Sequence, residues 1–230
     1  MVLGRSCAEV CAMNYMIHAC PERMWYVEKF LIPSMKKQGI PETDIRIWND
    51  TEGKGNLFSC MDSFLDCGKR DGGTWHLQDD VIICSDFAAR TKEHDTGLVC
   101  GFACRNFGPS LQEKGVVPAV FLWYSFQCIR IPNELAKECA EWFYQEARYY
   151  PKYREKVADR KHDDDFFRDF ILEKKTDLKV ENLVPCLVDH IDFLIGGTLI
   201  NQLRRLTVNR AAFWPETELV TQLAEQLRDE

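Results

Sequence analysis

Residues 74–81 read Thr-Trp-His-Leu-Gln-Asp-Asp-Val, and this stretch decides which fold we expect. Thr74–Leu77 predicts a short strand that ends at Gln78, Asp79 and Asp80. Ligands of open α/β sheets bind outside the carboxyl ends of the strands. Two adjacent carboxylates repel each other, and a hard divalent cation is their natural complement. The pair alone is a weak motif, because Asp is also common in turns and helix caps.

Short β-rich runs alternate with amphipathic helical patterns on both sides of this strand, which predicts a sheet with helices packed against it. We expect a single α/β domain whose central sheet is mixed, mostly parallel and flanked by helices. The predicted strands are Tyr15–Ala19, Asp44–Trp48, Thr74–Leu77, 97–105 and 118–130, and the predicted helices are 22–37, 134–148, 163–174 and one that begins at an Asn56 cap.

The domain is expected to span residues 13–207. Residues 1–12 would be an N-terminal extension, and 208–230 a C-terminal helix that packs on the domain or on a partner. Pro33 is expected to kink or end the first helix.

Composition narrows the class of protein. The 230 residues are 46% hydrophobic and 28% charged, which is typical of a globular protein and disfavours disordered and collagen-like chains. A net charge of -7 gives no overall attraction to nucleic acid or anionic membranes. The longest nearly apolar run, 116–126, is shorter than the roughly 20 residues of a membrane span, so none is expected. The 11 cysteines include no Cys-x-x-Cys pair, which favours reduced thiols and a cytoplasmic location.

The loop after the second predicted strand holds polar residues with two interpretations. Asn49 and Asp50 are able to hydrogen-bond a base or a ribose, and Lys54, between two glycines, can approach a phosphate. An ordinary polar turn has the same composition.

Acidic residues and one histidine later in the chain are further candidates. Asp163 and Asp164 begin a helix, where acids complement the helix dipole but also can act as a general base. His190 is able to complete a metal site, although a lone histidine is usually a satisfied polar residue.

The order of these motifs resembles the GT-A class of nucleotide-sugar-dependent glycosyltransferases over residues 15–201, in organisation rather than in residue identity. The resemblance implies that Asp50 faces the base or ribose and that Gln78-Asp79-Asp80 stands for the class's acidic Asp-x-Asp motif, which binds Mn²⁺ or Mg²⁺ and the sugar diphosphate. Asp80 would be the direct metal ligand and His190 a further one. Gln78 departs from the motif, because the class has an Asp at that position.

The resemblance also implies a reaction. A sugar would move from a nucleotide-diphosphate sugar to a hydroxyl acceptor of a glycan, a protein or a modified nucleic-acid base, as in a hexosyltransferase. Asp164, ahead of Asp163, would take the acceptor proton in an inverting mechanism. Small proteins of this shape occur in bacteria and their viruses, so the expected location is the cytoplasm of a bacterium or a virus-infected cell. The oligomeric state is left open, a homo-oligomer included.

Two other functions fit the same residues. One is a catalytically inactive module of glycosyltransferase shape, in which Gln78 reflects loss of the metal and Phe121–Tyr124 binds a partner. The other is a different magnesium-dependent, nucleotide-using transferase, since paired carboxylates after a strand suit Mg²⁺ equally well. Against the second, the sequence has no Gly-x-x-x-x-Gly-Lys-Ser/Thr phosphate loop.

Overall fold

A computed structural model describes residues 13–102, 115–118, 126–160, 163–183 and 186–191, with the backbone alone described at 115–118. The predictions for residues 1–12, 121–124 and 208–230 concern parts of the chain outside these ranges.

Two sheets are present in the described residues. A seven-stranded sheet has the order β2-β1-β3-β7-β5-β8-β6, and β4 pairs with β9 in a small second sheet. The strands are β1 (Asn14–Ala19), β2 (Ile45–Asn49), β3 (Gly73–Gln78), β4 (Val81–Ile83), β5 (Leu98–Cys100), β6 (Gly115–Pro118), β7 (Cys128–Pro132), β8 (Lys179–Asn182) and β9 (Val188–His190).

The large sheet is mixed, as predicted. β1 runs parallel to both β2 and β3, and β5 runs parallel to β8. β7 lies antiparallel between β3 and β5, while β6 pairs antiparallel with β8. Within the described sheet, β7 and β6 therefore oppose the direction that β1, β2, β3, β5 and β8 share. The carboxyl ends of β1, β2 and β3 consequently meet at one edge.

Helices cover both faces of this sheet. They are α1 (Met24–Tyr26), α2 (Ile32–Lys37), α3 (Asn56–Cys67), α4 (Phe87–Glu93), α5 (Asn133–Gln145), α6 (Arg154–Asp159) and α7 (Asp163–Lys174). A π turn over Val27–Leu31 joins α1 to α2. The first core cluster packs the 24–37 helical run and α4 on one face, and the second packs α3, α5 and α7 on the other.

Side chains of β1 alternate between these two clusters, because successive strand residues point to opposite faces. Tyr15 and Ile17 belong to the first cluster, and Met16 belongs to the second. His18 therefore shares the α3 face with Met16, and its ring nitrogen lies 2.9 Å from the hydroxyl of Ser59 on α3.

Some local predictions need correction. Asn56 does not cap α3: Gly55 occupies the cap position, and the Asn56 amide reaches Asp163 instead. The first helix does not end at Pro33 but continues to Lys37. Proline has no backbone N–H to donate, and the turn before it is a wider π turn that accommodates this. The charged stretch that begins at Lys152 contains a helix, α6.

Two further observations concern the described part of the chain. Its cysteines are all free thiols. Within the same ranges, no helix combines the length and the apolar character that crossing a membrane requires.

Candidate active site

The carboxyl ends of β1, β2 and β3 bring together polar residues that are distant in sequence. The parallel registers place Ala19 beside Asn49 and His18 beside Gln78. The backbone N–H of Asp50 donates to the carbonyl of Ala19 at 2.9 Å, so the loop after β2 starts directly at this edge.

Asp50 organises that loop. Its two carboxylate oxygens accept the backbone N–H groups of Lys54 at 2.9 Å and of Gly55 at 2.8 Å. Gly55 has a φ of +85°, and a Cβ there would lie 2.6 Å from the Cβ of Arg160, so no other residue fits without a shift. The structure thus shows the polar-turn role of Asp50. Contact with a base or ribose stays a prediction.

The other two loop candidates differ in their surroundings. Asn49 ends β2, and its side-chain oxygen is buried with no hydrogen-bond partner among the described residues. Lys54 is tied to acids: its ammonium lies 2.9 Å from Asp62 and 3.0 Å from Glu52. Hydrogen bonds to these two carboxylates raise the pKa of Lys54 above its ordinary value, which keeps it charged.

An arginine neutralises the acidic pair that follows β3. One guanidinium nitrogen of Arg23 donates to Asp79 at 2.5 Å and to Asp80 at 2.6 Å. The second oxygen of Asp79 accepts the backbone N–H of Cys20 at 2.8 Å. Burial opposes the charge of Arg23, but Asp80 and Asp79 raise its pKa above the ordinary value, so it remains protonated. Burial raises the pKa of Asp79, while Arg23 counters part of that effect.

The structure brings the two predicted metal ligands together. β4 follows Asp80 directly and pairs antiparallel with β9, where Val81 lies opposite His190. The Nε2 atom of His190 is 3.3 Å from Oδ2 of Asp80. The other oxygen of Asp80, Oδ1, is buried and has no hydrogen-bond partner among the described residues. A buried carboxylate oxygen and an imidazole are both ligands that suit a divalent cation. Asp80 and His190 therefore fit such an ion.

Asp163, at the start of α7, lies against the same edge. It is 3% exposed, and its Oδ1 accepts the side-chain amide of Asn56 at 2.6 Å. Burial raises the pKa of Asp163 to about 8; Asp164 raises it further, and a hydrogen bond from the Gln78 side chain opposes this. Asp163 therefore holds a proton near neutral pH and contacts the motif that follows β3.

Asp164 has a different environment from its neighbour. It is half-buried, and its Oδ1 accepts the backbone N–H of Asp165 at 2.8 Å. The carboxylate is therefore used partly to cap its own helix, which is the structural role that acids at this position often have.

Sequence reasoning missed two residues of this site, Arg23 and Asn56. Arg23 lies four residues after the end of β1. β1 pairs with β3, and Asp79 and Asp80 directly follow β3. A basic residue directly after a strand adjacent to an acidic pair was the available signal. Asn56 carried no comparable signal, since Asn at a helix start is normally a cap.

Beneath this edge lies a further cluster, formed by His18, Cys60 and His76. One ligand atom from each lies within 4.8 Å of those from the others, and all three side chains are buried. The cluster could hold a metal ion, and the identity of such an ion is open. Burial lowers the pKa of His18 to about 4 and that of His76 well below the ordinary value, so both rings are neutral.

Comparisons with known proteins find weak structural similarity. No protein-family model and no curated protein matches the chain. Among solved structures, a glucose-1-phosphate thymidylyltransferase candidate from Bacillus anthracis in complex with sucrose has 11% identity and a TM-score of 0.41, covering 78% of this chain and 90% of that one. HddC from Yersinia pseudotuberculosis has 12% identity and a TM-score of 0.38, covering 78% and 93%. TarS from S. aureus in complex with UDP has 13% identity and a TM-score of 0.40, covering 79% and 62%. These values are too low to assign a family or a function.

Proposed function

We propose that this protein is a glycosyltransferase that moves a sugar from a nucleotide-diphosphate sugar to a hydroxyl acceptor with inversion. The observation that supports the proposal most is the convergence of Asp79, Asp80, Arg23, Asp163 and His190 at the carboxyl edge of the parallel strands. Such an edge is where open α/β sheets bind ligands.

The donor would lie across the ends of β2, β1 and β3. Asn49 and the Asp50 loop would face the base and ribose. The buried oxygen of Asn49 has no hydrogen-bond partner in the described part of the chain, and a ribose hydroxyl or a base N–H can supply one. Arg23 would bind the diphosphate as well as its two carboxylates, since a guanidinium has five N–H donors. Lys54 would lie at the rim, held by Asp62 and Glu52.

Asp80 and His190 would hold a Mn²⁺ or Mg²⁺ ion. When bound, such an ion stabilises the negative charge that develops on the departing nucleoside diphosphate. Arg23, which contacts Oδ2 of Asp80, would act in the same direction, so the site has a cationic group even before an ion binds.

The acidic start of α7 would supply the general base. The base removes the proton from the acceptor hydroxyl as its oxygen bonds to the anomeric carbon, and the bond to the diphosphate breaks with its electron pair leaving on the nucleotide. The resemblance favours Asp164 for this role. The contact with Gln78 and the pKa of about 8 favour Asp163, so both are tested below.

The Arg23 salt bridges also favour a second candidate function, a binding module that has no catalytic activity. Because Arg23 already offsets the charge of Asp79 and Asp80, the acidic pair is stable without an ion. Such a module would bind a nucleotide or a partner without turning it over.

A ligand screen on the parent chain tests the proposal. UDP, GDP, CDP, ADP and their glucose conjugates are added with and without Mn²⁺, and the melting temperature is recorded, because a ligand that binds only the folded state raises its stability. A shift for one base, larger with Mn²⁺, followed by release of free sugar or transfer to an added hydroxyl acceptor, supports a glycosyltransferase. Binding without any turnover would favour the module. No shift with any nucleotide would contradict the glycosyltransferase proposal and leave a module that binds another partner.

A further inference from the structure

Three metal-ligating side chains from three separate elements converge in the core between the sheet and α3. His18 lies on β1, His76 on β3 and Cys60 on α3, with exposures of 5%, 0% and 0%. A ring nitrogen from each histidine and the sulfur of Cys60 lie within 4.8 Å of one another. None of these residues has a part in the proposed transfer reaction.

Hydrogen bonds define the tautomer of His76. The hydroxyl of Ser63 donates its single proton to the carbonyl of Cys60 at 2.7 Å. The same hydroxyl lies 3.1 Å from Nε2 of His76, and with its proton committed it can only accept there. Nε2 therefore carries the hydrogen of this neutral ring, and Nδ1 carries the lone pair.

That lone pair has no protein donor in the described residues. Nδ1 of His76 is fully buried and makes no hydrogen bond there. A buried acceptor that lacks a donor loses the solvation it had in water, so an isolated histidine is a poor choice for this position. A metal ion restores an interaction for this lone pair, and the fixed Nε2–H bond to Ser63 is the second interaction that metal-bound histidines usually make.

We infer that His18, Cys60 and His76 bind a zinc ion that ties β1, β3 and α3 together beneath the active site. Two imidazoles and one thiolate form a donor set that selects zinc over magnesium or manganese. Tetrahedral zinc holds such ligand atoms about 3.3 to 3.6 Å apart. The separations in the cluster are at most 4.8 Å, so they exceed this spacing by no more than about 1.5 Å. A water molecule would take the fourth position.

The inferred site would support the edge above it. His18 is followed by Ala19, which accepts the Asp50 N–H, and His76 lies two residues before Gln78. An ion bound by these two histidines and Cys60 would fix the last residues of β1 and β3 relative to α3. The same helix carries Asn56, whose amide donates to Asp163.

The test is the metal content of the chain purified without a histidine tag, measured by elemental analysis. About one zinc per chain is expected, and cobalt(II) added to the chelator-treated protein should give a thiolate-to-cobalt absorption band in the near ultraviolet. Cys60→Ser should remove the band and lower the zinc content at least about tenfold, as expected for loss of one of three ligands.

Two control variants separate this site from other effects. Cys139→Ser makes the same change at another fully buried cysteine of the same core cluster and should keep both zinc and band. Asp80→Asn should also keep both the zinc and the cobalt band. The zinc result therefore does not depend on whether the proposed nucleotide-sugar site is correct. The inference would be overturned if the purified parent protein contained no zinc and also gave no cobalt band. A cobalt band of equal strength in parent and Cys60→Ser would overturn it as well.

Discussion

Two acidic groups lie at the same edge of the sheet, and their surroundings differ in one respect. The pair Asp79 and Asp80 faces the guanidinium of Arg23, whereas Asp163 faces the neutral amides of Asn56 and Gln78 and the carboxylate of Asp164. Arg23 therefore counters part of the effect of burial on the pKa of Asp79, while no cation among the described groups that contact Asp163 opposes the burial that drives it to hold its proton near neutral pH. One residue type would therefore serve two chemistries at this edge: a charge able to bind a cation, and a proton able to be exchanged.

The largest effect is expected from removing the cation-binding charge. Asp80→Asn should lower transfer at least about 1000-fold and abolish the Mn²⁺-dependent part of donor binding, because Asp80 has a buried carboxylate oxygen that no described residue hydrogen-bonds. Steady-state turnover and calorimetric titration with and without Mn²⁺ measure this.

A matched control exists at the other end of α3. Asp66 pairs with Arg46 at 2.6 Å, the same distance as the Arg23–Asp80 contact. Asp66 lies near the end of α3, whereas Asn56 is its first residue. Asp66→Asn should leave turnover within about twofold of the parent, because this half-buried ion pair lies outside the proposed site. Equal losses in the two variants would mean that Asp80 matters only for folding.

A smaller but still large effect should identify the base. The acid that takes the acceptor proton should lose about 100-fold in turnover when changed to its amide, with donor binding retained. Asp163→Asn and Asp164→Asn are compared under the same conditions. Because Asp163 must lose its proton to act, a parent rate that rises with pH up to about 8 and then levels would favour Asp163. Full turnover in both variants would place the base elsewhere.

The protonation of Asp163 should also have a moderate effect on the stability of the fold. The pKa of Asp163 is near 3.8 in the unfolded chain and about 8 in the folded one, so the folded state holds the extra proton between these values. Unfolding releases that proton, and stability therefore falls as pH rises through this window. The melting temperature of Asp163→Asn relative to the parent should rise by several degrees between about pH 5 and about pH 9. A constant difference would show that Asp163 is ionised throughout.

The smallest effect is expected at Lys54. Its ammonium is exposed and already paired with Asp62 and Glu52, so Lys54→Gln should change donor affinity by less than about threefold. Titration of the donor into both proteins measures this. A tenfold loss would instead mean that Lys54 leaves its acidic partners to bind phosphate.

Much of the framework could be predicted from the sequence because it depends on local patterns. β1, β3 and α7 lie where alternation and helical spacing place them, and the meeting of strand ends at one edge follows from parallel pairing. The proximity of Asp80 to His190 was expected from the resemblance, and the β4–β9 pairing provides it.

The partners of the acidic residues could not be predicted in the same way. Arg23 and Asp79 are 56 positions apart in sequence, and Asn56 and Asp163 are 107 apart. Such contacts depend on how helices pack across the sheet, which periodicity does not encode. The His18, Cys60 and His76 cluster was missed for the same reason, since its members lie on three elements and share no short spacing motif.

The most direct test of the central claim is a calorimetric titration of UDP, GDP, CDP and ADP, each with Mn²⁺, into the parent and into Asp80→Asn. We expect one diphosphate to bind the parent and to lose its Mn²⁺-dependent affinity in the variant. Equal binding to both proteins, or no binding to the parent, would contradict the claim that the acidic pair after β3 is a nucleoside-diphosphate site.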